Sequence, residues 1–419
     1  MDGQWYYVDN GAPAGPVSAD SLLRLAADGT VQATTYVWQE GMTSWLPAGE
    51  VPGLLPPPPP PPLGMPPPAV PPPSGRSILG EIGVGISRAA EVPTLSGVPI
   101  REVLLGGLQL QPGMTISHIE DLFAVGTEST TPPLAAVPSG WPTPRVFWRI
   151  FFGAIGIYLL LLAGLRQFNN IHFVPGMIVI GSFVVPLSVV VLFFELNVPR
   201  NVSIYQVAKM ILLGGALSLL VTLVVGEIVP FDGVGHVIPA MLTGVVEEVG
   251  KALVLFLLIG SLRYPYQLNG LLFGAAVGAG FAGFESAGYA FRLLIETSTV
   301  DAATSNILLR GLLAPGGHVI WTAMIASALW KVKGDRRFEV SMLFHPVVIR
   351  RFLVAVVLHG LWDTDVWLIP GILWCVLLLV VGWYIVFGIL KQALAEVEAA
   401  KQAAVAAQPA AATVLSIVR

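Results

Sequence analysis

Residues 244–251 read Gly-Val-Val-Glu-Glu-Val-Gly-Lys, inside an apolar run from Val237 to Gly260 that is long enough to be a membrane helix. Each ionised side chain at the centre of such a helix costs roughly 2.5–3.5 kcal/mol on insertion scales, so chemistry is the first explanation to test. Lys251 stands four residues after Glu247 and three after Glu248, and reaches both along one helix face. The plainer reading is a buried ion pair that only fixes packing, but such a pair needs no second glutamate. Three later apolar stretches also carry polar groups. They hold Phe284-Glu285 with Tyr289, His318 with Trp321 and Thr322, and His359 with Asp363. Most of these partners are four apart and share a face. A glutamate can take a proton from water and a histidine can polarise or donate, so the set suits hydrolysis. The same groups suit zinc: His318 and His359 are the nitrogen ligands, and Glu247, Glu285 or Asp363 supplies oxygen. A His-Glu-x-x-His zinc motif is absent. His359 and Asp363 also read as a histidine oriented by its carboxylate. Glu195, Glu227 and His172 sit at span ends, where snorkelling explains them, and Tyr289 and Trp321 read as packing.

The elements that position these groups follow from composition. Of 419 residues, 54% are hydrophobic and 11% charged, where soluble chains average about 25%. A polytopic membrane protein is expected. The net charge of −4 shows no basic block, which excludes nucleic acid as a partner. The single cysteine, Cys375, excludes an intrachain disulfide. Apolar runs near 146–165, 171–195, 207–229, 237–260, 268–291, 311–330, 352–368 and 370–390 predict about eight spans. The first residues lack the basic-then-apolar pattern of a signal peptide, so the first span is expected to direct insertion. Arg145, Arg149, Arg200, Arg263, the basic stretch from Lys331 to Arg351 and Lys391 collect on one side. Both termini are therefore expected in the cytoplasm of a multi-pass cell-membrane protein. On that topology Glu247, Glu285, His318 and His359 all lie about 10–15 Å below the outer boundary. Gly274, Gly278, Gly280, Gly283 and Gly288 allow close helix approach.

Four regions follow: a soluble domain at 1–54, a proline-rich and irregular linker at 55–144, a membrane domain at 145–391, and a tail at 392–419. The fold class is mainly α, a membrane helical bundle preceded by a small α+β domain. In that domain Gln4–Asp9 and Tyr36–Gln39 read as strands, Asn10-Gly11 as a turn, and Ser18 as the cap of a short helix ended by Gly29. Trp5-Tyr6-Tyr7, Gly15-Pro16, Leu22, Leu25, Val37-Trp38, Gly41-Met42 and Trp45-Leu46-Pro47-Ala48 resemble the bacterial GYF-like domain. The parent family binds proline-rich peptides, which implies a peptide site at Trp5, Tyr6, Trp38 and Trp45. The aromatics equally suit a small core. The tract at 56–73 is nearly all proline, a stiff spacer and also a ligand type for aromatic grooves. Ile100–Leu110 and Ile116–Phe123 read as short amphipathic helices, and 127–144 as loop.

Glu247-Glu248-x-x-Lys251, Phe284-Glu285-x-x-x-Tyr289, His318-x-x-Trp321-Thr322 and His359-x-x-x-Asp363 resemble, in order, the four motifs of the PrsW family of intramembrane proteases. The resemblance runs over about residues 145–391. That family is related to the CAAX prenyl proteases. The resemblance implies peptide-bond hydrolysis in or near the membrane, metal-dependent, although related enzymes use glutamate without metal. It implies Glu247, Glu248, Lys251, Glu285, His318, His359 and Asp363 as catalytic residues, and a membrane-anchored substrate such as an anti-sigma factor. Two other functions compete. A proton-coupled transporter also buries Glu, His and Asp at mid-depth, but no internal repeat is visible. A membrane scaffold leaves the buried carboxylates unexplained.

Overall fold

A computed structural model describes residues 3–9, 12–32, 34–42, 45–51, 54, 78–108, 116–228, 236–258, 264–365 and 369–417. The Asn10-Gly11 turn, the proline tract at 56–73, Pro112-Gly113, Asp232 and Arg263 lie outside the described residues. The chain divides into two compact units, Met1–Arg76 and Ser77–Arg419.

The first unit is a four-stranded antiparallel sheet with one helix. Strands β1 (Gln4–Asp9), β2 (Ala12–Ser18), β3 (Tyr36–Gln39) and β4 (Leu46–Pro47) lie in the order β2-β1-β3-β4. The sequence pattern does not show β2, whose Pro13, Gly15 and Pro16 argue against a strand. It survives because it is an edge, where missing donors cost least. Helix α1 (Ala19–Ala27) starts where Ser18 accepts from the Ser21 amide, as expected of its cap. Alternation along β1 sends Trp5 inward, onto Leu22, Val31, Val37, Ala48 and Leu54. At 3% exposure Trp5 is core, which corrects its assignment to a peptide site. Tyr6 points the other way. It pairs across the strands with Trp38 at 5.8 Å between ring centroids, and Trp38 continues to Trp45 at 6.5 Å.

The second unit is helical. A first segment forms α2 (Ile78–Ala90), α3 (Ile100–Leu105) and α4 (Ile116–Phe123). The bundle follows as α5 (Val146–Phe168), α6 (Phe173–Leu196), α7 (Ile204–Lys209), α8 (Gly215–Ile228) and α9 (Val237–Leu258). It continues through α10 (Gln267–Thr297), α11 (Val300–Leu313), α12 (His318–Lys333), α13 (Pro346–Trp362) and α14 (Gly371–Ile417). A π-helical turn at Met210–Gly214 joins α7 to α8. Among the described residues, six helical stretches are long and apolar enough to cross a membrane: 146–168, 173–196, 204–228, 267–297, 300–333 and 371–406. The chain is thus multi-pass. Two of the eight expected spans fall outside that count for simple reasons: α9 carries Glu247, Glu248 and Lys251, and α13 has only 17 residues. The expected span at 311–330 is also different in kind. Pro315-Gly316-Gly317 interrupts it, so α11 ends at Leu313 and His318 opens a new helix.

Helix α10 is the axis of the bundle, buried over most of its length and packed on α6, α8, α11 and α12. At Gly278 a side chain would strike the His318 carbonyl, so only glycine lets α10 and α12 meet there. At Gly244 a side chain would press on Val356 and His359, and at Gly360 on Met241. These two glycines set the crossing of α9 and α13. Several basic residues that mark loops in the sequence also hold the structure together. Arg351 is fully buried and donates to the carbonyls of Ala90 and Glu91. Lys391 donates to Thr94 and Ser96, and Lys401 to Val137 and Ser139. The segment before the bundle is clamped by these cations. Glu195 is corrected too: its carboxylate does not snorkel but accepts the amides of Arg145, Val146 and Phe147 at 2.7–3.0 Å, capping α5.

Candidate active site

The two glycine crossings bring four helices to one place. Helix α9 supplies Glu247, Glu248 and Lys251; α10 supplies Glu285; α12 opens with His318; α13 ends with His359 and is capped by Asp363. All seven candidate residues are in one cluster. Glu248, Lys251 and His359 are at most 1% exposed and Glu247 is 6% exposed.

The hydrogen bonds assign each group a task. The Lys251 ammonium lies 2.7 Å from Glu248 Oε1, 3.3 Å from Glu247 Oε2 and 2.8 Å from His318 Nδ1. An ammonium only donates, so Nδ1 of His318 accepts and Nε2 carries the ring hydrogen. That Nε2–H donates to Glu285 Oε2 at 3.0 Å. His359 is held in the mirrored way: its Nδ1 lies 3.0 Å from Glu248 Oε1, which turns Nε2 toward Glu247 and Asp363. Each imidazole is thus oriented by one carboxylate, as metal-ligating histidines usually are. Trp321 fixes both rings. It stacks on His359 at 4.5 Å and meets His318 edge-on at 5.2 Å, so it positions the site as well as packing.

Three ligand atoms are left facing one another. His318 Nδ1 is 3.8 Å and His359 Nε2 is 3.7 Å from Glu247 Oε2, and one ligand atom from each residue lies within 4.8 Å of the others. A tetrahedral zinc with bonds near 2.1 Å needs ligand atoms about 3.4 Å apart, so the donor set fits once the Lys251 ammonium withdraws from His318 Nδ1 and Glu247 Oε2. Among the described residues, Glu247, Glu248, Glu285 and Asp363 face Lys251, Arg310 and the two histidines. Oε2 of Glu248 is buried with no hydrogen-bond partner among the described residues. Glu285 and Asp363 stand outside this trio.

Arg310 is a residue of the candidate site that the sequence pattern did not single out. Its guanidinium pairs with Glu285 Oε2 and donates to Ser286 Oγ at 2.8 Å, while lying over the Tyr289 ring. Arg310 in fact interrupts the apolar run Ile307–Leu313, the same signal that singles out Glu247. A cavity of about 560 Å³ opens beside the cluster, with Glu247 and Glu285 in its wall.

Catalytic-type groups buried among helices that can cross a membrane agree with what comparison with protein families finds. Residues 203–390 match the PrsW family intramembrane metalloprotease, and residues 5–54 match GYF domain 2. The first match begins after α6 and takes in every residue of the cluster. Comparison with curated proteins and with solved structures gave no match. Residues 203–390 are therefore a PrsW family intramembrane metalloprotease domain, from a family of hydrolases, with a GYF domain 2 at residues 5–54 ahead of it.

Proposed function

We propose that the protein hydrolyses peptide bonds of membrane-anchored proteins, with α9 and α13 also inside the bilayer, eight spans in all, and both ends in the cytoplasm. One observation carries the reading: Glu247 Oε2, His318 Nδ1 and His359 Nε2 converge beside a cavity, each histidine oriented by its own carboxylate. The proposed ion is zinc, which would supply Lewis acidity to a carbonyl or water oxygen. The chain's own groups do the rest. Glu248 and Glu285 keep the ring hydrogens turned away, and Lys251 would release Nδ1 of His318 and Oε2 of Glu247 as the ion enters. Lys251 contacts Glu247 at the cavity wall. Glu247 takes the proton of a water as its oxygen bonds to the scissile carbon, and returns that proton to the nitrogen when the carbon–nitrogen bond breaks. In the GYF domain, the half-buried row of Tyr6, Trp38 and Trp45 is the proposed seat for a proline-rich peptide.

The test is reconstitution of the full chain in vesicles with a library of single-span proteins. Cleaved products are expected. Glu247→Gln and His359→Ala should lower turnover on the order of 10²–10⁴-fold with the unfolding midpoint little changed. Wild-type protein should hold one equivalent of zinc, which His359→Ala loses. Near-normal turnover in either variant removes the catalytic assignment. Full activity after complete chelation removes zinc and leaves the glutamates alone. Solute uptake with no cleavage would favour a carrier.

A further inference from the structure

The cavity beside the cluster has a shape that says what enters it. Helices α8 and α10 run side by side and touch where Gly215 meets Gly280: a side chain on either glycine would strike the other helix's backbone. From that pinch they part. The cavity walls come from Leu219, Thr222 and Leu223 on α8, and from Phe284 and Glu285 on α10, with Glu247 at the back. Its far end reaches Glu227 and Arg292. Along α10 the cleft runs from Phe281 to Arg292, eleven residues of helix and about 16 Å. Extended chain at about 3.3 Å per residue would place roughly five residues in that length.

Gly288 differs from the glycines expected to let helices approach. Gly274, Gly278, Gly280 and Gly283 each face an atom that a side chain would strike, whereas nothing lies within 4 Å of the place where a side chain on Gly288 would begin. Gly288 sits one turn beyond Glu285 on the same face and lines the cleft. The free space there belongs to whatever occupies the cleft. Leu223 is 60% exposed on the opposite wall, so α8 leaves the cleft open at its side.

We infer that the cleft between α8 and α10 is the substrate groove, that it takes an unwound stretch of about five residues from a membrane-anchored protein, and that Gly288 makes room for a bulky apolar side chain beside the scissile bond. This rests on the protease reading above. Apolar walls next to Glu247 and Glu285 suit an apolar segment, while Glu227 and Arg292 at the open end suit its polar flank. The narrow end is closed by Gly215 against Gly280, so the segment enters from the side or from the charged end.

Two measurements test the inference separately from the protease reading. In the full-length Glu247→Gln protein, a photo-crosslinking residue replaces Leu223 or, as a control, the exposed Leu308 of α11. The probe is a single-span peptide with Ala, Leu or Phe beside its cleaved bond. Capture is expected at 223 and at least tenfold less at 308; equal capture, or none at 223, overturns the groove. Cleavage by the otherwise native protein without capture at 223 sinks the groove and leaves the protease. Capture without any cleavage supports the groove and sinks the protease. Gly288→Leu should reduce cleavage of the Phe peptide at least tenfold relative to the Ala peptide, because it fills the cleft. Gly288→Ala should fall between. An equal loss for all three peptides, or an unchanged preference, would overturn the assignment of Gly288.

Discussion

At the scale of single residues, the site is a chain of orienting contacts that ends at Arg310. Arg310 holds Glu285, Glu285 holds Nε2 of His318, and Nδ1 of His318 is turned toward Lys251 and Glu247. Arg310 is neither one of the ligand trio nor one of the residues that line the cavity, so it is a positioning residue. Arg310→Ala should lower kcat more than KM changes. It should also weaken zinc binding, within the 10–100-fold range that outer-shell partners contribute. Arg310→Lys keeps a cation for Glu285 but loses the fork that also reaches Ser286, so it should recover part of both. Zinc titration of the two purified variants checks this. Unchanged zinc affinity in Arg310→Ala would show that the pair serves packing alone.

At the scale of elements, helices are placed by what their ends and glycines allow. Helix α5 starts against Glu195 of α6, whose two oxygens take three amides that otherwise have no acceptor. Asn197, Asn201 and Asn269 form a buried amide cluster that ties the end of α6 to the start of α10. Glu195→Ala should destabilise the bundle by about 2 kcal/mol, because a charge at a helix N-terminus and its bonds are lost together. Glu195→Gln should cost less, since one acceptor remains. Thermal unfolding in detergent measures both. Equal midpoints for the three proteins would mean that the cap contributes nothing. Residues distant from the cleft should leave its peptide preference unmoved.

For the whole molecule, the division falls near residue 76 and not at the first span. The segment after it is held to the bundle by Arg351, Lys391 and Lys401 through backbone carbonyls. Deleting residues 1–73 should therefore preserve cleavage of a minimal single-span substrate and alter partner choice or self-association. Deleting residues 1–144 should instead leave Arg351 buried without acceptors, and unpaired buried donors are costly. Expression and turnover of the two truncations compare these outcomes. Loss of turnover in the shorter truncation, with the bundle still folded, would mean that the GYF domain acts in catalysis itself.

What the sequence determined by itself was local. A helix places residues four apart on one face, so the pairs Glu247 with Lys251 and His359 with Asp363 were readable before any fold. Strand alternation and capping likewise placed β1, β3 and α1, because their signals lie within a few neighbouring residues. Lone charges in apolar runs marked the helices of the candidate site, since nothing but a partner offsets their burial. Tertiary structure decided the partners. Glu248 meets His359 across 111 residues and Arg310 meets Glu285 across 25, and no periodicity connects such positions. It also decided which aromatics are core. Trp5 and Tyr6 are alike as residue types, but only pairing with β2 and β3 fixed which face of β1 was covered. Gly288 belongs here as well: a glycine that lets helices touch and one that leaves a cleft open read alike until the neighbouring helix is in place.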